Sequence, residues 1–286
     1  MLLILLSSVV LSFNGLIFRT VAEATAWQIS FYRSGALAVA VFGLFLWRHR
    51  GRWGVELRRS RRSALIAGPL LGVAGICFLQ SLSLTTVANT MFTLSSVPLF
   101  AAVFAWLVLG ECVAAATWMA ILVAMTGIGL MVFDGFESGA LLGNLLALAT
   151  AVLFACFVVA LRHGRHVDML PAVALGALVS TAIGGVMAEH LDLSLRDILI
   201  CIAWGALLSG FAHSIYTYAS RHVLAAELTL LSLVEMIISP LWVWLIMDET
   251  PTTYTLMGGA VVAVAIGGWA LMPLVTKRQS RSKESL

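Results

Sequence analysis

From Ser63 to Gly110 the chain runs for 48 residues without one Asp, Glu, Lys or Arg. A segment of that kind has little to keep it solvated in water. In hydrocarbon it is stable if every backbone N–H and C=O is bonded within the segment, which a helix achieves. A bilayer core about 30 Å thick is crossed by roughly 20 helical residues. The run is therefore too long for one crossing and must turn, and Leu84-Thr85-Thr86 is the predicted turn. Further charge-free runs cover Met1 to Phe18, Cys112 to Phe133, Ser138 to Leu161, Met169 to Ala188, Ile198 to Ser220 and Thr250 to Thr276. Only 11% of the 286 residues are charged and 61% are apolar, whereas a soluble domain is about a quarter charged. An aqueous globular fold is excluded.

Division of the apolar runs at turns and charges predicts ten spans, near 2–20, 27–47, 63–84, 86–109, 115–133, 139–161, 169–188, 197–220, 224–247 and 253–274. The first, MLLILLSSVVLSFNGLIF, has no positive n-region and no small-x-small cleavage site, so it reads as a spanning helix in place of a signal peptide. Trp27 and Trp47 stand twenty residues apart, about 30 Å along a helix, and bracket the second span as interfacial anchors. With a cytoplasmic N-terminus, fourteen of the seventeen Lys and Arg fall in inner loops or the tail. Arg19 and Arg196 lie outside, and Arg33 lies within a span. The positive-inside rule then puts both termini in the cytoplasm.

Shifted by 138 residues, the chain resembles itself: Trp106 falls on Trp244, Glu111 on Glu249, Thr117 on Thr255 and Gly129 on Gly267. Five spans per half is an odd number, so the second half enters the membrane upside down, with Glu111 at the inner face and Glu249 at the outer. The expected fold is an all-α membrane protein of ten transmembrane helices, arranged as two inverted five-helix repeats. Residues 1–134 form the first repeat, 135–276 the second, and 277–286 a basic cytoplasmic tail. Inverted repeats exchange conformations about an in-plane axis and expose a central site to each side in turn, so the pattern points to transport by alternating access. Duplication in a protein that only scaffolds others is the competing reading.

Interrupted helices in such repeats mark the midplane pocket. Pro98 in the fourth span and Pro240 in the ninth are the candidate breaks, and a plain packing kink is the alternative at each. Glu235 lies mid-span, where a carboxylate costs about 2.5–3.5 kcal/mol and usually faces a cavity or a partner. It is the candidate for binding a cationic group or carrying a coupling proton; a structural hydrogen bond between helices is the other reading. His213 and Tyr216 share one face of the eighth span, with Tyr218 turned away, and His213 is a candidate partner for Glu235. Arg33 either snorkels to the outer interface, paired with Glu23 or a helix end, or clamps a substrate carboxylate. Asn14, Gln80 and Asn89 complete the candidate substrate-binding set.

The four cysteines are scattered with no CxxC pair, so neither a disulfide framework nor a metal site is expected. His163 and His166 have i, i+3 spacing but sit in the basic loop RHGRH. Gly68 with Gly72, Gly258-Gly259 and Gly267-Gly268 read as close helix contacts. There is no phosphate loop, nucleophile elbow or paired-metal constellation. No cofactor, no metal and no nucleic-acid partner are expected, and the chain is not expected to be an enzyme.

These residues bring a family into view. Phe31-Tyr32-Arg33, Val97-Pro98 followed by Leu109-Gly110-Glu111, and Gly127 with Gly129 resemble EamA-type members of the drug/metabolite transporter superfamily, over almost the whole chain. Glu235-Met236 stands where such proteins often have Glu-Pro, and Asp248-Glu249 where they have Gly-Glu. The resemblance implies a cavity lined from the first, third, fourth, sixth, eighth and ninth spans. It implies a secondary-active carrier in a bacterial inner membrane, an exporter of amino acids or related amphiphilic metabolites in the leading reading. Coupling to protons is open, and the state is a monomer or a homodimer. Uptake of a vitamin or cofactor such as a flavin or nucleoside derivative is the alternative, with Phe92, Trp118 and Tyr216 available to stack a ring. A membrane-embedded enzyme or receptor is the remoter one.

Overall fold

The computed structural model describes residues 2–21, 23–110, 115–137, 140–248, 252–254, 256–261, 264, 265 and 268. Among them there is no β-strand. Nine helical segments carry the fold: α1 (Leu2–Thr20), α2 (Ala26–Arg48), α3 (Trp53–Leu84), α4 (Val87–Leu109), α5 (Ala115–Glu137), α6 (Leu141–His163), α7 (Leu170–Met187), α8 (Leu195–Ala219) and α9 (Ala225–Met247). Eight helices are long and apolar enough to cross a membrane; within α5 the apolar stretch is the shorter Trp118–Gly127. The predicted tenth span is described only in part. Glu111, Glu249, Cys112 and the tail lie outside the described residues.

Local chemistry sets the helix ends. Thr25 opens α2 with a capping box: its side chain accepts from the Gln28 N–H, and the Gln28 side chain accepts from the Thr25 N–H at 2.8 Å. Thr86 caps α4 and Ser194 caps α8 in the simpler way. The turn expected in the long charge-free run falls between Leu84 and Val87. One boundary differs from the sequence reading. α3 begins at Trp53, ten residues before the apolar run, because Arg is a good helix former and Glu56 pairs with Arg59 one turn on at 3.1 Å. Gly110 ends α4 and Asp248 ends α9, both in the left-handed conformation, at φ 64° and 54°. Glycine adopts that conformation freely, and Asp248 is the non-glycine residue that takes it among the described residues.

Two helices are irregular. α1 turns at Ser12-Phe13, and α4 is interrupted at Ser95-Ser96, two residues before Pro98. Pro240, by contrast, lies inside an unbroken helix. α8 is α-helical over Leu195–Ala203, widens to a π-helix over Trp204–Ser209, and returns to α at Gly210.

Packing relies on small residues rather than on apolar burial, since lipid is as apolar as a leucine core. α7 lies between α2 and α3. A Cβ on Gly176 would sit 2.7 Å from the Gly68 carbonyl oxygen, and one on Gly184 would sit 2.9 Å from that of Trp27. The Ser180 hydroxyl closes the α3 contact by donating to the Gly72 carbonyl at 2.8 Å. Two apolar clusters fill the ends of the bundle, one including Phe45, Phe157 and Leu228, the other Ile29, Leu82 and Met91. At the first end Asp168 ties three connections together. It meets His49 Nε2 at 2.8 Å and Arg221 at 3.6 Å, and it accepts from the Leu170 N–H at 3.0 Å.

Candidate substrate-binding site

Between the two apolar clusters lies a cavity of about 110 Å³ whose walls bring together Asn14, Arg33, His213 and Glu235. The sequence distances are large: Glu235 stands 221 residues from Asn14. α1, α3, α4, α6, α8 and α9 contribute to the wall as the family resemblance implies. α2 and α7 contribute as well, through Ser34, Leu37 and Ser180.

Arg33 and Glu235 are buried to 6% and 9% residual exposure. Among the described residues neither takes part in a salt bridge, although both line the same cavity. Each has polar support instead. Arg33 donates from Nη2 to the Ser209 hydroxyl at 3.1 Å and lays its guanidinium over the Trp204 ring, 4.6 Å from the centroid. A desolvated contact of that kind contributes up to about 2 kcal/mol. Its Nε is buried with no hydrogen-bond partner, so donor capacity remains. Of the two readings open for Arg33, snorkelling to the outer interface toward Glu23 or a helix end gives way to burial against α8.

The partner of Glu235 is Asn14, whose Nδ2 donates to Oε1 at 3.4 Å, a long bond. Trp204 Nε1 donates to Asn14 Oδ1 at 2.7 Å. Indole nitrogen only donates, which fixes the amide orientation and leaves its NH₂ end for the carboxylate. His213 does not bond Glu235: its Nδ1 meets the Ser209 carbonyl at 2.9 Å. Ser209 therefore serves both Arg33 and His213, and the π-helix is what brings it and Trp204 to the cavity side together. Gly205 permits this, because a Cβ there would collide with the Arg33 carbonyl.

Three candidates lie elsewhere. Tyr216 is buried against Phe154, 6.0 Å between ring centroids, and does not line the cavity. Asn89 bonds Thr85 Oγ1 at 3.3 Å near the start of α4, and Gln80 leaves its Nε2 buried without a partner away from the cavity. Sequence reasoning overlooked Trp204 and Ser209. A tryptophan in an apolar run reads as an anchor and a serine as filler; the available signal was the glycine that directly follows each, Gly205 and Gly210.

A helical bundle that gathers Arg33, Glu235, Asn14 and His213 around one interior cavity has the form of a membrane carrier, and comparison with known proteins agrees. A crystal structure 18% identical in sequence superimposes with a TM-score of 0.70 over 95% of this chain and 96% of that one, which speaks for the fold. The description "EamA-like transporter family" matches twice, over residues 1–133 and 141–282. The chain belongs to the EamA-like transporter family of the drug/metabolite transporter superfamily and is a multi-pass membrane transporter. Among its relatives, the pseudopaline exporter CntI of Pseudomonas aeruginosa is 24% identical over 88% of each chain. Human solute carrier family 35 member G1 is 28% identical over 91% of this chain and 75% of its own.

Proposed function

We propose that this transporter is a secondary-active exporter of amino acids or closely related small metabolites that carry both an amine and a carboxylate, in a bacterial inner membrane. The observation that carries the reading is the unpaired Arg33 and Glu235 in one buried cavity. A substrate carboxylate completes the donors of Arg33, preferably in bidentate fashion. Its ammonium faces Glu235, and the apolar remainder lies against Leu71, Phe78 and Phe154. A ligand with both charges offers Arg33 and Glu235 an opposite partner each in a site where desolvation makes such partners count. Phe92, Trp118 and Tyr216 all lie outside the cavity, which weighs against a stacked flavin or nucleoside.

Transport proceeds by alternating access between two inverted five-helix halves, 1–134 and 135–276, with both termini cytoplasmic. The double family match supports the two halves, as do the left-handed caps at Gly110 and Asp248, 138 residues apart. The exporter relative supports the direction. Glu235 exchanges a proton for the substrate amine, which couples export to proton entry.

The test is flux of radiolabelled amino acids in proteoliposomes under an imposed pH gradient. The parent protein accumulates substrate against its gradient, and Glu235→Gln retains only gradient-independent exchange. Proton-driven flux at parental rate in Glu235→Gln would overturn the coupling role. No flux of any amino acid would overturn the substrate class.

A further inference from the structure

The flank of α8 that faces away from the cavity carries two adjoining features that the transport site does not use. One is a basic basin of about 540 Å³ at the Asp168 end of the bundle, lined by Arg162, Arg165, His166, Arg221, His222 and Tyr218. No acidic side chain lines it. The nearby Asp168 is buried, bonded to His49 and to the Leu170 N–H, and 3.6 Å from Arg221, so it offsets the charge of that one arginine and leaves the basin basic through Arg162 and Arg165. Arg221 gives its Nη2 to the Val167 carbonyl at 3.0 Å, and its Nε is buried with no hydrogen-bond partner.

The second feature is an apolar groove of about 740 Å³ running along α8, with Leu3, Leu44, Leu207, Phe211 and Ile215 among its walls. Tyr218 belongs to both features. Its half-exposed ring marks the boundary, with the His222 ring 5.7 Å away and the Arg48 guanidinium 5.9 Å from its centroid. From Ala206 to Tyr218 the groove follows the helix for roughly 18 Å.

We propose that an anionic phospholipid occupies this two-part site, its headgroup phosphate in the basic basin and an acyl chain along the apolar groove past Tyr218. Charge complementarity selects the headgroup, since basic pockets between helices at a membrane surface attract anionic lipids. A free anion would account for the basin alone, and any hydrocarbon for the groove alone. One amphiphile accounts for both and for their junction at an amphipathic tyrosine. The groove is floored by Ala206, Leu207 and Gly210, and the same π turn presents Trp204 and Ser209 to Arg33 on its other side. The lipid therefore braces the segment that supports the cavity. The inference does not depend on which substrate the cavity takes.

Native mass spectrometry of the full-length protein in detergent, with thermal melting alongside, tests it. Phosphatidylglycerol is retained in preference to phosphatidylcholine of the same chain length and raises the melting midpoint; glycerol 3-phosphate, which lacks chains, does neither. Arg165→Gln, an exposed position outside the cavity, lowers phosphatidylglycerol retention on the order of fivefold, and Arg165→Lys restores it. Leu207→Trp, which fills the groove, lowers retention with the basin intact. Equal retention of the two lipids, no response to Arg165→Gln in protein that melts normally without lipid, or stabilisation by glycerol 3-phosphate equal to that by phosphatidylglycerol would each overturn the site.

Discussion

Trp204 has one polar atom and one way to use it, and the arrangement of the cavity follows from that constraint. By holding Asn14 Oδ1 at 2.7 Å it aims the amide nitrogen at Glu235, while its ring face supports Arg33. The two functions separate by mutation. Trp204→Phe keeps an aromatic face and removes the donor, so Asn14 is released. The apparent KM for substrate is expected to rise about tenfold, the worth of one well-buried hydrogen bond, with little change in melting temperature. Arg33→Lys keeps the charge but loses the planar fork, and Lys does not substitute for Arg where a carboxylate is held at two points. Binding of N-acetylated and of decarboxylated amino acid analogues to this variant distinguishes the ends of the substrate. Arg33→Lys should lose discrimination against the decarboxylated analogue, and Glu235→Gln should lose it against the acetylated one.

At the scale of elements, the contact between α2 and α8 is the most demanding. Gly205→Ala drives a methyl into the Arg33 backbone, which cannot turn aside, and overpacking of this kind costs about 1–3 kcal/mol or more. The expected result is a clear fall in melting temperature and loss of transport. Gly210→Ala is the control, because its nearest neighbour would be Ala40 Cβ at an ordinary 3.5 Å. Asp168 is a latch across the ends of α2, α6 and α8. If that end opens during the cycle, Asp168→Asn favours the open form, and a cysteine placed in the cavity at Ser34 reacts faster with a thiol reagent added from the side of the basic loops.

The molecule as a whole was legible where a property belongs to one stretch of chain and obscure where it depends on neighbours. Charge-free runs located six of the eight long apolar helices; α2 and α9 carry Arg33 and Glu235 and were read from apolar stretches around a lone charge, and the cost of burying Glu235 singled it out without any structure. Helical period placed His213 and Tyr216 on one face, yet only one of them lines the cavity, because period says nothing of what packs opposite. Gln80 and Asn89 were drawn in by polarity alone. The proposed orientation has its own check: cysteines introduced at Arg165 and at Ser194 should be labelled from the cytoplasmic and the external side respectively. The widened turn in α8 adds a constraint on the chain's length. A π turn holds one residue more than the α-helix around it needs, so deletion of a single residue from 204–209 allows α8 to become regular throughout. An i→i+5 turn spends that extra residue on nearly the same rotation as an α turn, so after the deletion the helix on either side keeps its phase and His213 stays on the Arg33 side. One residue inserted into the regular stretch between Gly210 and His213 has no such turn to absorb it and rotates His213 by about 100° away from Arg33. That insertion, with every polar residue still present, should abolish transport, whereas the deletion within the wide turn should leave a folded protein that still transports.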